Sequence, residues 1–290
     1  MQTESFRRQL VADLTPLHGP DEARALVRLL LAHLTGEARL HAPLPAQLPP
    51  DTAHLAEAAA QRLRAGEPVQ HVIGQAHFYG RDFLVSPEVL IPRPETEALL
   101  VWARDLWLHR GLPRAGGRFL DMGTGSGCLL ISLERELAAR NLSVEALGVD
   151  RSEAALAIAR QNAQRLGAAV HLLPLDLLQA DPSQYRDLDL LLSNPPYIPE
   201  RERPGLQPQV RDFEPGLALF VPDDDPLLFY RHLARLGRHW LKPGGWLMVE
   251  IHRDFGAGVV DLLQGHGYQS VTLRQDLAGR DRMVAGQRPA

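Results

Sequence analysis

The sequence predicts an α/β fold, an open and mostly parallel sheet with helices on both faces, joined to a small helical N-terminal domain. Two observations predict it. From about residue 116 onward, short apolar runs alternate with helix-period patterns, and such alternation specifies parallel strands joined by crossover helices. Residues 1 to about 66 carry helix-period apolar residues instead. A chain of 290 residues accommodates one large domain plus a small one.

Between Asp21 and Leu34, residues Ala25, Leu26, Leu29, Leu30 and Leu34 recur at helical spacing. The segment HAPLPAQLPPD breaks that pattern with its prolines. Asp51 is then placed to cap a helix whose Leu55, Ala59 and Leu63 share a face, and Gly66 stops it. Residues 67–95 lie within EPVQHVIGQAHFYGRDFLVSPEVLIPRPETE, where β-branched and aromatic residues punctuated by Gly74 and Gly80 predict a hairpin linker. Pro92 and Pro94 keep the chain extended. Glu95 or Thr96 opens the next helix, through Leu99, Leu100, Ala103 and Leu106; either residue can instead line the mouth of a site.

The remaining residues, 96–290, form the large domain. Strands are expected at Arg118–Asp121, Val144–Val149, Val170–Leu173, Leu188–Leu192 and Trp246–Ile251, with two more near Tyr268–Leu273 and Arg282–Ala285. Helices are expected from Ser126 to about Arg140, after the N-cap Ser152 to Leu166, from about Pro226 to Leu241, and up to about Gln264.

Composition narrows the class. Hydrophobic residues make up 45% and charged residues 23%, as in soluble globular proteins. No apolar run approaches the ~18 residues that cross a bilayer, and the N-terminus lacks the apolar core of a secretory signal. The single cysteine, Cys128, excludes an intrachain disulfide and a four-cysteine metal site, so a cytoplasmic protein without a metal is expected. At a net charge of −4 there is neither the basic excess nor the basic stripe of an enzyme that tracks nucleic acid. Lys242 is the only lysine, an arginine bias that reads as genome composition.

The first strand of the sheet runs into Asp121-Met122-Gly123-Thr124-Gly125-Ser126-Gly127-Cys128. Glycines at alternate positions allow a tight turn and close approach of backbone to a ligand at the carboxyl edge of the sheet. The dinucleotide pattern would need a glycine at Cys128, and no Gly-Lys-Ser/Thr follows. A carboxylate at Asp121 suits a cationic amino acid moiety better than a pyrophosphate. Asp150 ends the second strand, where it can accept hydrogen bonds from ribose hydroxyls or cap the next helix. Asp176 follows the third strand, either reaching an adenine amino group or serving as a turn residue. Together these favour S-adenosylmethionine over NAD.

The fourth strand ends in Asn194-Pro195-Pro196-Tyr197. Consecutive prolines fix φ and donate no hydrogen bond, holding the carbonyls of Asn194 and Pro195 outward. A planar –NH2 group has two N–H donors, and the Asn194 side-chain oxygen and the Pro195 carbonyl can accept both. Tyr197 offers an aromatic face for stacking. The chemistry is then positioning: reacting atoms held about 3–3.5 Å apart in line for methyl transfer. The alternative is a proline-rich turn that merely ends a strand.

GTGSG, Asp150 and NPPY together resemble the amino methyltransferases that include the DNA adenine enzymes. The linker segment, QPQVRDFEPGLAL, LKPGGWLMVEI and DLAGRDRMVAG resemble the HemK/PrmC-type release factor glutamine methyltransferases, over essentially the whole chain. The resemblance implies an S-adenosylmethionine-dependent (Rossmann-like) methyltransferase domain and an N-terminal domain that docks the substrate. It implies class 1 peptide chain release factors as partners, methylated on the glutamine of a Gly-Gly-Gln loop, with no membrane and no direct nucleic-acid binding. It also implies that Gly123 to Gly127 and Asp150 contact the cofactor and that Asn194 to Tyr197 hold the glutamine. Two positions depart from the family. Leu177 stands where an aromatic residue often lies against adenine, so that pocket is expected to be more aliphatic. His252 stands where Glu-Ile is often followed by glycine; a lone histidine at a strand end is expected to be solvated. Glu250 is either structural or near the substrate. Trp102, Trp107, Trp240 and Trp246 are expected in packing, and Cys128 in the core.

Two other classes share parts of this pattern. A nucleic-acid adenine N6-methyltransferase would also use NPPY but would need a base-flipping groove and a target-recognition region. A non-catalytic cofactor-binding scaffold would have no use for an intact NPPY.

Overall fold

The computed structural model describes residues 1–36, 43–109, 112–113, 115–276 and 278–290, which divide into two units. His41 and Ala42 of the proline-rich segment and Leu277 of the terminal motif lie outside the described residues.

The helical unit comprises Met1–Gln75 and Gln207–Phe213. It begins with α1 (Thr3–His18), α2 (Pro20–Thr35), α3 (Pro50–Arg64) and α4 (Val69–Ile73). Gly19, at φ 77°, ends α1 and allows Pro20 to open α2 immediately. Leu10, Leu14, Leu30, Leu31 and Leu63 fill the core between them. Two expectations fail in α3. Pro49 holds the N-cap position, which leaves Asp51 in the first turn, where its charge still complements the helix dipole. Leu55 is 58% exposed, and the buried face runs through Ala56, Ala60 and Leu63. Both stripes have helical spacing; the alanine stripe allows closer packing. The linker expected from residue 67 also starts later, because Val69 of α4 is buried in the helical core.

The larger unit comprises Ala76–Leu206 and Glu214–Ala290. A hairpin of β1 (Gln75–Phe78) and β2 (Arg81–Leu84) leads into it. Its two turn residues, Tyr79 and Gly80, have φ of 48° and 71°, as a tight hairpin turn requires. There follow α5 (Pro94–His109), β3 (Ala115–Met122), α6 (Cys128–Ala138), β4 (Ser143–Asp150), α7 (Glu153–Leu166), β5 (Val170–Pro174), β6 (Leu188–Ser193), β7 (Ile198–Pro199), α8 (Pro208–Phe213), β8 (Phe220–Val221), α9 (Leu228–Trp240), β9 (Leu241–Glu250), α10 (Gly256–Gly265), β10 (Gln269–Gln275) and β11 (Asp281–Gln287). No element was expected between residues 198 and 221, where β7, α8 and β8 lie. Of these, α8 clusters with the helical unit: Gln209 Nε2 lies 3.4 Å from His18 Nδ1.

Seven strands form one sheet in the order β10-β11-β9-β6-β3-β4-β5. The five from β9 to β5 are parallel, and β11 pairs antiparallel with both β9 and β10. Side chains alternate between faces. Trp246 and Met248 of β9 join the core beneath α5 and α6, whereas Leu247 and Val249 join the core beneath α9 and α10. Burial on both faces explains why β6 reads as an almost continuous apolar run. The order of connection reverses between β3 and β6, so their carboxyl ends open a crevice suited to a ligand.

Several boundaries differ from expectation, two of them for reasons visible in the backbone. Strand β9 begins at Leu241, because Lys-Pro-Gly-Gly stays in the ladder through a register shift opposite Leu188–Leu190. A Cβ at Gly245 would come within 2.9 Å of the Leu188 carbonyl. Helix α6 begins at Cys128, not Ser126, since Gly127 sits at φ 80° and cannot be helical. No helix among the described residues is long and apolar enough to cross a membrane.

Candidate active site

A cavity lies over the crevice within the larger unit, lined by the glycine turn, the end of β4, residues 175–177, Ser193 to Pro196, and Arg93 and Thr96 of the linker and α5. Gly123, Gly125 and Gly127 all have positive φ (75°, 54° and 80°), so an L side chain at any of them is strained. Gly127 is the most constrained: a Cβ there would lie 2.8 Å from Ile131 Cδ1. Thr124 and Ser126, both buried, complete the turn.

Asp150 braces the turn from the next strand. Its Oδ2 accepts from Gly125 N (2.9 Å) and its Oδ1 from Ser152 N (2.9 Å). Burial raises its pKa, and these backbone donors oppose the rise. Ser152 caps α7 by accepting from Ala155 N, so Asp150 is not that cap. Asp121 is 2% exposed and accepts from the Thr124 hydroxyl at 2.8 Å. Burial raises its pKa from the ordinary 3.8 to about 7, and the nearby Asp150 adds to the rise. A carboxylate this deep, beside another carboxylate at the floor of an open cavity, fits the cationic methionyl part of S-adenosylmethionine.

Asp176 lines the cavity, but its Oδ1 accepts from Leu178 N at 3.0 Å, capping a short 3₁₀ turn over Leu177–Gln179. Leu177 and Leu175 make that wall aliphatic. Cys128 also touches the cavity, where burial pushes its thiol up to about 12.

At the other end, Ser193 Oγ donates to the Met122 carbonyl (2.7 Å), pinning the end of β6 to β3. Asn194, Pro195 and Pro196 line the cavity. Tyr197 follows these residues and does not itself line the cavity. Its hydroxyl turns away to donate to Glu250 Oε1 at 3.1 Å, and its backbone N–H is held by the Leu219 carbonyl. The aromatic residue that does line the cavity is Phe229 of α9. Asn194 Nδ2 donates to Thr96 Oγ1 (3.2 Å), and Thr96 Oγ1 donates to Glu250 Oε2 (2.7 Å). Thr96 is 3% and Glu250 1% exposed. Glu95, by contrast, faces Arg280 at 3.9 Å and is not in the cavity wall.

Comparisons with known proteins identify the family. Residues 8–74 match the model of the PrmC N-terminal domain, and residues 105–205 that of the methyltransferase small domain. The release factor glutamine methyltransferase of Bacteroides thetaiotaomicron is 40% identical over 98% of both chains. The chain belongs to the release factor glutamine methyltransferase family. That of Cereibacter sphaeroides is 41% identical over 94% of each chain. A methyltransferase from Pyrococcus furiosus, 15% identical with a TM-score of 0.50 over 81% of this chain and 98% of that one, shares the fold. The protein is thus an S-adenosylmethionine-dependent methyltransferase.

Within that family pattern, three placements were not legible in advance. Thr96 and Glu250, open to either role in the sequence, meet behind Asn194. Asn162 of α7 is buried and bridges β2 to the glycine turn, donating to the Leu84 and Ser126 carbonyls and accepting from Leu84 N. One polar residue in an amphipathic helix gave no signal of this. His252 is 7% exposed rather than solvated. Its Nδ1 accepts from Asp254 N (3.2 Å), which leaves Nε2 to donate to Glu202 (3.3 Å), and its ring edge packs near Tyr197.

Proposed function

We propose that the enzyme transfers the methyl group of S-adenosylmethionine to the side-chain amide nitrogen of the glutamine in the Gly-Gly-Gln loop of class 1 peptide chain release factors, in the cytoplasm. The observation that carries the reading is Asn194 at the carboxyl end of β6, on the cavity wall, beside two prolines that offer carbonyls and no N–H. S-adenosylmethionine, when bound, supplies an electrophilic methyl carbon.

The chain's own residues orient the two reactants. Asp121 would meet the cationic end of the cofactor, Gly123 to Gly127 would let backbone approach it, Asp150 would take the ribose, and Leu175, Leu177 and Asp176 would border the adenine. Asn194 Oδ1 and the Pro195 carbonyl accept the two N–H bonds of the glutamine amide. Held this way, the amide nitrogen would accept the methyl group from the cofactor sulfur and lose one proton to solvent. Because an amide is a poor nucleophile, most of the acceleration comes from orientation and exclusion of water. The helical unit docks the release factor.

The test is transfer of labelled methyl to a recombinant release factor, its Gln→Glu variant in the Gly-Gly-Gln loop, and DNA and RNA in parallel. Labelling of the wild-type factor alone is expected. Persistent labelling of the Glu variant, or faster labelling of nucleic acid, would sink the assignment.

A further inference from the structure

An asparagine amide is nearly symmetric in shape: oxygen and nitrogen ends exchange by a half-turn about the last side-chain bond. Only one orientation serves an –NH2 substrate, because the acceptor must face it. Something in the protein has to choose, and the contacts behind Asn194 do so.

The chain of choices starts at Glu250. Both oxygens of its carboxyl group act as acceptors: Oε1 takes the Tyr197 hydroxyl proton at 3.1 Å and Oε2 the Thr96 hydroxyl proton at 2.7 Å. Burial raises its pKa and the nearby Glu95 adds to the rise, while the Thr96 hydroxyl, Arg282 and the Tyr197 hydroxyl oppose it. Thr96 has a single hydroxyl proton, and it goes to Glu250. Towards Asn194, Thr96 Oγ1 is therefore purely an acceptor. The group facing it at 3.2 Å must be a donor, which is Nδ2. Nδ2 is thereby committed away from the substrate, and Oδ1 remains for the cavity that Asn194 lines. Every member of this line is fixed by packed structure: Thr96 in the first turn of α5, Glu250 at the last residue of β9, Tyr197 and Asn194 after β6.

We propose that Glu250 and Thr96 are positioning residues that fix the polarity of the Asn194 amide, so that the site selects a hydrogen-bond-donating –NH2 and rejects an acceptor of the same shape. The proposal rests on the assignment of a glutamine amide as the methyl acceptor. It gives Thr96 a chemical reason to carry a hydroxyl and Glu250 a reason to present two acceptor oxygens in a buried place, neither of which the methyl transfer itself requires. It also predicts that the same line sets discrimination between glutamine and glutamate, since a carboxylate would place lone pairs against Oδ1.

The experiment uses the full chain with Thr96→Val, Thr96→Ser and Glu250→Gln, measuring kcat and KM for release factor, the Kd of S-adenosylmethionine, and inhibition by the Gln→Glu release factor. Valine keeps the shape of threonine without the acceptor. Glutamine at 250 can turn an –NH2 on Thr96, which reverses the line and brings Nδ2 of Asn194 round to the substrate. The expected result is a fall in kcat of about tenfold or more for Thr96→Val and Glu250→Gln. The cofactor Kd should change less than about threefold, and Thr96→Ser should stay near wild type. The Gln→Glu factor should inhibit both impaired variants better, relative to substrate, than it inhibits the wild type. Wild-type kcat in Thr96→Val, equal impairment of Thr96→Ser and Thr96→Val, or an unchanged Glu/Gln preference in the impaired variants overturns the proposal. If Thr96→Val does not fold, Glu250→Gln decides by the same preference ratio. If wild-type enzyme labels no release factor at all, it is the substrate assignment that fails, which the wild-type lane reads independently.

Discussion

The two ends of the cavity are built differently. The end proposed to hold the cofactor is made mainly from one short stretch, Asp121 to Gly127, with three positive-φ glycines, braced from the neighbouring strand by Asp150. The reacting end is made from side chains far apart in the chain. Asn194 meets Thr96 across 98 residues and Thr96 meets Glu250 across 154. A local turn tolerates the loss of one side chain better than a line of single hydrogen bonds does, because its geometry is held at several backbone points.

Mutations sharpen that contrast. The largest effect is expected for Asn194→Ala, which removes a preorganised partner of the reacting group. Methyl transfer should fall by about 10²–10³-fold, with the cofactor Kd nearly unchanged in a calorimetric titration. Similar losses of binding and turnover would show that the two ends are not separable.

Asp121→Asn probes the other end. It would remove the charge proposed to meet the cofactor's cation, a charge-assisted contact worth about 1.5–3 kcal/mol, so the cofactor Kd should rise by about one to two decades while release-factor KM moves little. The loss should appear in binding first.

A related expectation concerns protons. In the free enzyme burial lifts Asp121 from 3.8 to about 7, so near pH 6 it is largely protonated. A bound cation favours the ionised form, so binding expels the proton. Affinity should improve as pH rises towards 7, by at most about tenfold per unit, and then level off. Calorimetry in buffers of different ionisation heat should detect proton release near pH 6, and Asp121→Asn should abolish it. The stability sign follows the same logic. The folded free enzyme holds this proton more tightly than the unfolded chain, so this group's contribution declines as pH rises between about 4 and 7.

The smallest effect is expected for Ser152→Ala, which removes the cap of α7 and leaves Asp150 in place. Thermal unfolding should show a loss of about 1 kcal/mol, with kcat unaltered. A matching loss of cofactor affinity would mean that the capped helix end, and not only Asp150, supports the turn.

These differences also explain what the sequence reveals. The strand–helix alternation and the glycine turn were legible because each is written in neighbouring residues: periodicity for the sheet, and φ-permissive spacing for the turn. Asn194 to Pro196 were legible for the same reason. The hydroxyl contact of Tyr197 was not legible, because its partner Glu250 belongs to another strand. The burial of His252 and the bridge at Asn162 depend likewise on partners brought near only by tertiary packing. In α3, two stripes of equal periodicity competed, and close packing of alanines, invisible to periodicity, favoured Ala56 and Ala60 over Leu55.

The helix Pro208–Phe213 belongs to the helical unit although the residues on both sides of it, up to Leu206 and from Glu214, belong to the other. The two units are therefore not beads that evolution or an engineer can exchange with one cut. A chain trimmed before Ala76 would keep a helix whose packing partners had been removed. A helical unit grafted elsewhere would lack one of its own pieces. Recombination between relatives would have to carry residues near 210 along with the N-terminus, which makes the helical unit a discontinuous module of inheritance.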